Sequence, residues 1–62
     1  MKETIAQFAA RIGVKLWPRA GGVLAIIPMP YKHRADAYHL ADYYVSASVS
    51  GPALEFRPRA NG

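Results

Sequence analysis

Residues 28–44, PMPYKHRADAYHLADYY, hold most of the side chains in this chain that could perform chemistry. They include both histidines, all four tyrosines, Asp36 and Asp42. His39 is spaced from each aspartate so that, on a helix, an imidazole and a carboxylate share one face. Such a pair can act as a general base or supply two metal ligands. A zinc site needs more ligands than this, and His33 falls on another side of the helix or in the loop before it, so a surface ion pair is the expected role.

The chain has no other pattern typical of an enzyme. Three serines, Ser46, Ser48 and Ser50, alternate along a predicted strand, and none lies in a Gly-x-Ser-x-Gly turn. The AGGV segment has two glycines but not the lysine and helix of a phosphate-binding loop. We therefore expect a non-enzymatic protein with no catalytic residue, no metal site and no cofactor.

Composition indicates one small domain, residues 1–62, with an affinity for acidic partners. The chain of 62 residues has a net charge of +4, an apolar share of 52% and no cysteine. The apolar share argues against disorder, and the lack of cysteine favours a reducing compartment. The longest apolar run, VLAIIPMP, is too short to span a bilayer, and the N-terminus lacks the apolar core of a signal peptide. A cytoplasmic location without membrane association is expected.

The N-terminal segment predicts a helix with both ends capped. Thr4 and Gln7 form the Thr-x-x-Gln capping box, and Gly13 stands where a left-handed C-cap residue belongs. The residues between them have helical spacing and form one apolar stripe: Ile5, Phe8, Ala9 and Ile12. Glu3 and Arg11 each lie on the favourable side of the helix dipole.

Two hairpins are predicted from alternating polarity. The first pairs VKLW with VLAII through the RAGG turn. VLAII is predicted to be a central strand because it is apolar on both faces. The second starts with Val45, Ala47 and Val49 alternating with serines, turns at SGP and returns with Leu54 and Phe56 on one face. One of Tyr43 and Tyr44 should face solvent beside the serines.

A second amphipathic helix is predicted at about residues 34–43. Ala37, Leu40, Ala41 and Tyr44 recur at helical spacing, and polar residues occupy the other side. The predicted fold is thus α+β: a small, four-stranded, mainly antiparallel sheet with two short helices on one face, in the order α-β-β-α-β-β. A monomer or a weak dimer formed through a sheet edge is expected.

Basic residues near aromatic rings suggest nucleic-acid binding as one function. Basic side chains can contact phosphates while a ring stacks on a base. The candidate residues for this function are Lys15, Trp17, Arg19, Lys32, Arg34, Arg57 and Arg59. An ordinary charged rim explains the same residues, and no helix-turn-helix, zinc-finger or RNP motif is present.

A protein-binding surface is the leading interpretation of the residues, and nucleic-acid binding is the alternative to it. Tyrosine, tryptophan and arginine are enriched at protein interfaces. The candidate partner-binding residues surround the second helix: Tyr31, Lys32, Arg34, Tyr38, His39 and Asp42.

The N-terminal run MKETIAQFAARIGVKLW, together with the chain length, resembles small phage-encoded anti-CRISPR proteins, the type I-C inhibitors in particular. That group has no shared motif, so no functional residue can be transferred by position. The resemblance implies a non-enzymatic inhibitor in the host cytoplasm. Such an inhibitor binds a CRISPR surveillance complex, through one of its subunits, and sterically blocks target DNA recognition or nuclease recruitment. Some members imitate DNA with acidic surfaces, whereas the charge of +4 here would confine mimicry to a local patch such as Asp36 and Asp42.

Overall fold

The computed structural model describes residues 2–47 and 51–60, which form two α-helices and one four-stranded antiparallel sheet. In chain order the elements are α1 Ile5–Ile12, β1 Leu16–Pro18, β2 Leu24–Ile26, α2 Arg34–Ala37, β3 Tyr43–Val45 and β4 Leu54–Pro58. Short 3₁₀ turns occupy Ala20–Gly22 and Tyr31–His33. The predicted α+β class and the antiparallel four-stranded sheet are confirmed.

Helix α1 forms as its sequence predicts. The Thr4 hydroxyl accepts a hydrogen bond from the Gln7 amide at 3.2 Å, and the Gln7 side chain accepts one from the Thr4 amide at 3.0 Å. Both bonds satisfy amides that have no partner within the helix. At the other end, Gly13 has φ 74° and ψ 36°, the left-handed conformation that glycine adopts without strain. Ile5 and Phe8 are buried on the face turned to the sheet.

The strand order β1-β2-β4-β3 places β2 and β4 at the centre of the sheet. Leu16 pairs with Ile26, and Ile26 pairs with Leu54, so these three side chains share the face that the helices cover. This face holds the core, in which the largest fully buried side chains are Phe8, Phe56, Ile26 and Leu40. Ile26 and Phe56 come from the sheet, whereas Phe8 and Leu40 come from the helical layer. The prediction of VLAII as a central strand is confirmed, although only Leu24–Ile26 is strand.

Strand β1 begins two positions later than predicted. The Val14 amide donates to the Ala9 carbonyl at 3.0 Å, so Val14 still belongs to the C-terminal cap of α1. The chain then reverses at Ala20–Gly22, where Gly21 and Gly22 have φ of 75° and 77°. These positive values are the ones that the RAGG turn was predicted to need.

The predicted helix at 34–43 is wrong beyond Ala37, because residues just before α1 and just after β4 bind the backbone that follows it. The Ala41 amide donates to the Glu3 carbonyl at 2.8 Å, and the Asp42 carbonyl accepts from the Arg59 amide at 2.9 Å. The Ala41 amide is thereby diverted from the Ala37 carbonyl, which would be its partner in a longer helix. Ala37 and Leu40 are nevertheless buried as the helical spacing predicted.

The third strand lies earlier than the Val45–Val49 alternation predicted. It spans Tyr43–Val45, and Ala47 is exposed in a bend. The rest of that alternation, residues 48–50, lies outside the described residues. Tyr44 faces solvent, whereas Tyr43 packs against the core, which settles which of the two tyrosines is outward. Within residues 2–47 and 51–60, no helix is long and apolar enough to cross a bilayer.

Candidate nucleic-acid interface

The sheet presents one face to the helices and leaves the other uncovered by them. We call the second the open sheet face. Trp17 pairs with Ala25, Ala25 pairs with Glu55, and Tyr44 pairs with Arg57, so all five side chains project from this face. Lys15, the residue before β1, is counted with these five. The open sheet face thus consists of Lys15, Trp17, Ala25, Tyr44, Glu55 and Arg57.

Two aromatic rings stand near opposite edges of the open sheet face. Trp17 on edge strand β1 is 43% exposed, and Tyr44 on edge strand β3 is 41% exposed. Ala25 between them is fully buried, because its methyl group lies below the longer side chains of its paired neighbours. The open sheet face therefore has an exposed aromatic ring near each edge, and between the two rings lies the small, buried side chain of Ala25.

Each exposed ring has a cation beside it. The Lys15 ammonium lies 4.8 Å from the centroid of the Trp17 ring. The Arg59 guanidinium lies 5.9 Å from the centroid of the Tyr44 ring, and its Nε donates to the Leu40 carbonyl at 3.1 Å. Both distances fall within the ~6 Å range of a cation–π contact. These contacts place a positive charge over each of the two rings on which a base could stack.

Positive charge dominates the open sheet face. Arg57 is exposed on the inner strand β4 opposite Tyr44, Lys15 lies at the Trp17 ring, and Arg59 lies at the Tyr44 ring. Glu55 is the single acidic side chain that the described strands place there. Three cations against one carboxylate give this face an attraction for phosphate.

The structure divides the residues predicted for nucleic-acid binding into two layers. Lys15, Trp17 and Arg57 lie on the open sheet face, with Arg59 at its rim. Arg19 is exposed at the turn after β1. Lys32 and Arg34 instead lie in the helical layer, so they do not extend this face. Tyr44 was not in the predicted set, although its alternation with Tyr43 marked one of the two as outward.

A second exposed surface surrounds α2. We call it the second-helix surface, and it consists of Tyr31, Lys32, Arg34, Tyr38 and His39. Tyr31 is 86% exposed and Tyr38 is 59% exposed. Arg34 is half-buried, donates to the Gly51 carbonyl at 3.2 Å and lies 5.9 Å from the Tyr31 ring centroid. The second-helix surface therefore exposes two tyrosines, whereas the Arg34 side chain is partly occupied by its internal hydrogen bond to Gly51.

Asp42, the remaining residue predicted to bind a partner, has an internal contact. Its Oδ1 accepts a hydrogen bond from the Ile5 amide at 2.8 Å, at the first turn of α1. The side chain is half-buried. An oxygen bonded to a helix N-terminus stabilises that terminus, which gives Asp42 a structural task in addition to any role at a surface.

An open cleft of about 410 Å³ lies between α1 and α2 and contains the histidine singled out by the sequence. Its lining residues are Lys2, Glu3, Arg11, Asp36, His39 and Leu40. Asp36 Oδ2 lies 3.7 Å from Arg11 and 3.9 Å from His33 Nδ1. His39 contacts Asp36 through its backbone, since its amide donates to the Asp36 carbonyl at 3.1 Å. Asp36 thus forms a surface ion pair with Arg11 and lies near the His33 imidazole.

Arg11 is the centre of this charge network. It binds both oxygens of Glu3, at 2.9 and 3.0 Å, so the Arg11 hydrogen bond lowers the pKa of the Glu3 carboxyl. The same contact raises the pKa of Arg11. Among the described residues, no group of three or more His, Cys, Asp or Glu side chains could hold a metal ion.

Comparison of the chain with protein-family models, with curated proteins and with solved structures found no significant match. The interpretation of both surfaces therefore depends on their own chemistry.

Proposed function

We propose that this chain is a non-enzymatic protein that binds single-stranded nucleic acid on its open sheet face. The observation that carries the proposal is the placement of Trp17 and Tyr44 on the same uncovered face, each with a cation beside its ring. Sequence-tolerant binding of single strands combines aromatic stacking with basic side chains that contact the backbone. The open sheet face supplies both components.

A single strand suits this surface better than a duplex. The two rings lie on a sheet, and a base can stack on a ring only when it is not already stacked in a helix. The part of the chain that the structure describes also has none of the helical motifs that enter a major groove. Arg57, directly opposite Tyr44 on the inner strand β4, is positioned to contact a phosphate while bases occupy Trp17 and Tyr44.

The proposal is tested by fluorescence anisotropy with labelled oligonucleotides of identical sequence, one single-stranded and one duplex, at low and high salt. The expected result is saturable binding that favours the single strand and weakens as salt increases. Absence of binding to the single strand at low salt overturns the proposal.

A second candidate function is inhibition of a CRISPR surveillance complex in the host cytoplasm. The observation that favours it is the exposure of Tyr31 and Tyr38 on the second-helix surface, because large exposed tyrosines are typical of protein interfaces. The mechanism would be steric: the second-helix surface occupies a subunit of the complex and blocks DNA recognition or nuclease recruitment. The sequence resemblance supplies the identity of the partner.

Capture of a purified type I-C surveillance complex by the immobilised protein tests this second candidate. Tyr31→Ala combined with Tyr38→Ala should abolish capture, whereas Trp17→Ala on the opposite layer should not affect it. Failure of the unaltered protein to capture the complex contradicts the second candidate and leaves nucleic-acid binding untouched.

A further inference from the structure

Glu55 is an unexpected residue for a surface that attracts phosphate. Its carboxylate projects from β4 into the open sheet face, in the same cross-strand row as Trp17 and Ala25. Among the described residues, it forms no ion pair with Arg57 or any other cation. A carboxylate in this position repels the backbone of a bound strand, so it must either weaken binding or contact something other than phosphate.

We infer that Glu55 reads the hydrogen-bonding edge of a base and selects guanine. The inference rests on the proposed function and names the ligand of that same site. A carboxylate only accepts hydrogen bonds, and its two oxygens can accept two parallel donors at once. Guanine presents two adjacent donors on its Watson–Crick edge, the ring N1–H and the exocyclic amine. Thymine presents one donor there, between two acceptors that a carboxylate repels.

The register of the sheet gives Glu55 the reach that this role needs. Tyr44 lies directly opposite Arg57, so Glu55 is the diagonal neighbour of Tyr44 on the adjacent strand. Diagonal neighbours on one face are ~7–8 Å apart, which long side chains can bridge. A base stacked on Tyr44 therefore extends its edge toward Glu55. Ser46 helps to fix this part of β4, because its amide and its hydroxyl both donate to the Glu55 carbonyl, at 2.9 and 3.3 Å.

Three short oligothymidines that differ at one central position provide the test. The central base is guanine, hypoxanthine or thymine, and hypoxanthine differs from guanine only by the loss of the exocyclic amine. A matching ribonucleotide series determines whether the preferred strand is DNA or RNA. We expect the guanine strand to bind roughly 5- to 150-fold more tightly than the thymine strand, the range for a bidentate side-chain contact to a base. The hypoxanthine strand should fall between them.

Glu55→Gln is the matching protein variant, because glutamine keeps the size of glutamate but replaces one acceptor oxygen with a donor. It should abolish the preference for guanine while binding to the thymine strand is retained or strengthened. If the unaltered protein binds all three strands with equal affinity, or if Glu55→Gln tightens all of them by the same factor, the inference is wrong and the proposed function stands. If no strand binds at all, both are overturned.

Discussion

Asp42 accepts a hydrogen bond from the amide of Ile5 at 2.8 Å, which ties the residue before β3 to the first turn of α1. The Ala41 amide, bound to the Glu3 carbonyl, reinforces the same junction. The start of α1 and the segment that leads into β3, which are distant in sequence, are thereby fixed to each other.

Replacing Asp42 with alanine should destabilise the fold. The partly buried Ile5 amide would lose its hydrogen-bond acceptor, which should lower the free energy of unfolding by about 1–3 kcal/mol. For a domain of this size, each kcal/mol corresponds to a decrease in Tm of about 4–8 °C. Thermal unfolding followed by circular dichroism measures the effect.

Two further variants serve as controls for Asp42. Asp42→Asn retains an acceptor oxygen and should lose less stability than Asp42→Ala. Asp36→Ala removes an exposed carboxylate whose contact with Arg11 is screened by solvent, so it should change Tm little. Equal Tm values for Asp42→Ala and the unaltered protein would show that the contact with Ile5 contributes nothing.

The two exposed rings of the open sheet face should each contribute to nucleic-acid affinity. Stacking of one base on an aromatic side chain is worth about 1–3 kcal/mol, so Trp17→Ala and Tyr44→Ala should each weaken binding of a single strand at least fivefold. Tyr31→Ala is the matched control, because Tyr31 is more exposed than either ring but lies in the helical layer. A Tyr31 variant that loses as much affinity as the Trp17 variant would place the interface elsewhere.

Arg57 should contribute through charge rather than stacking. Log affinity falls as log salt concentration rises, and each phosphate contact on a single strand adds about 0.7 to the steepness of that slope. Arg57→Gln should therefore reduce that slope by about this amount. Lys32→Gln removes the same charge from the helical layer and should leave the slope unchanged. Equal changes in the two variants would indicate a nonspecific effect of net charge.

The contact between Glu3 and Arg11 should make a small contribution to stability that depends on pH. Because Arg11 lowers the pKa of Glu3 in the folded state, the contribution is present above the ordinary pKa of glutamate, ~4.3, and disappears as pH falls through the lowered value. The urea concentration at the midpoint of unfolding should be higher for the unaltered protein than for Glu3→Gln at pH 7. The two midpoints should become equal in strong acid. The same difference at both pH values would be inconsistent with this ion pair.

Local signals in the sequence predicted α1 and the inward face of β4. Thr4, Gln7 and Gly13 act on their immediate neighbours, so their roles can be read without a tertiary structure. The alternation of Leu54 and Phe56 with Glu55 and Arg57 likewise set the two faces of β4.

The end of α2 could not be predicted in this way. Spacing alone favoured a helix to residue 43. Ala41 instead bonds to Glu3, just before α1, and Asp42 bonds to Ile5 of α1 and to Arg59, just after β4, all of which are distant in sequence. The same limitation applies to the open sheet face. Trp17 and Tyr44 belong to opposite edges of the sheet, and only the strand order shows that their rings share a face.

The emission of Trp17 provides the most direct measurement of the central claim, because the chain contains one tryptophan. Titration of the unaltered protein with an unlabelled single-stranded oligonucleotide at low salt should quench this emission in a saturable manner as a base stacks on the indole. The quenching should be reversed by added salt and should be weaker in the Tyr44→Ala variant at equal oligonucleotide concentration. Emission that stays constant over a titration to millimolar oligonucleotide would contradict nucleic-acid binding at the open sheet face.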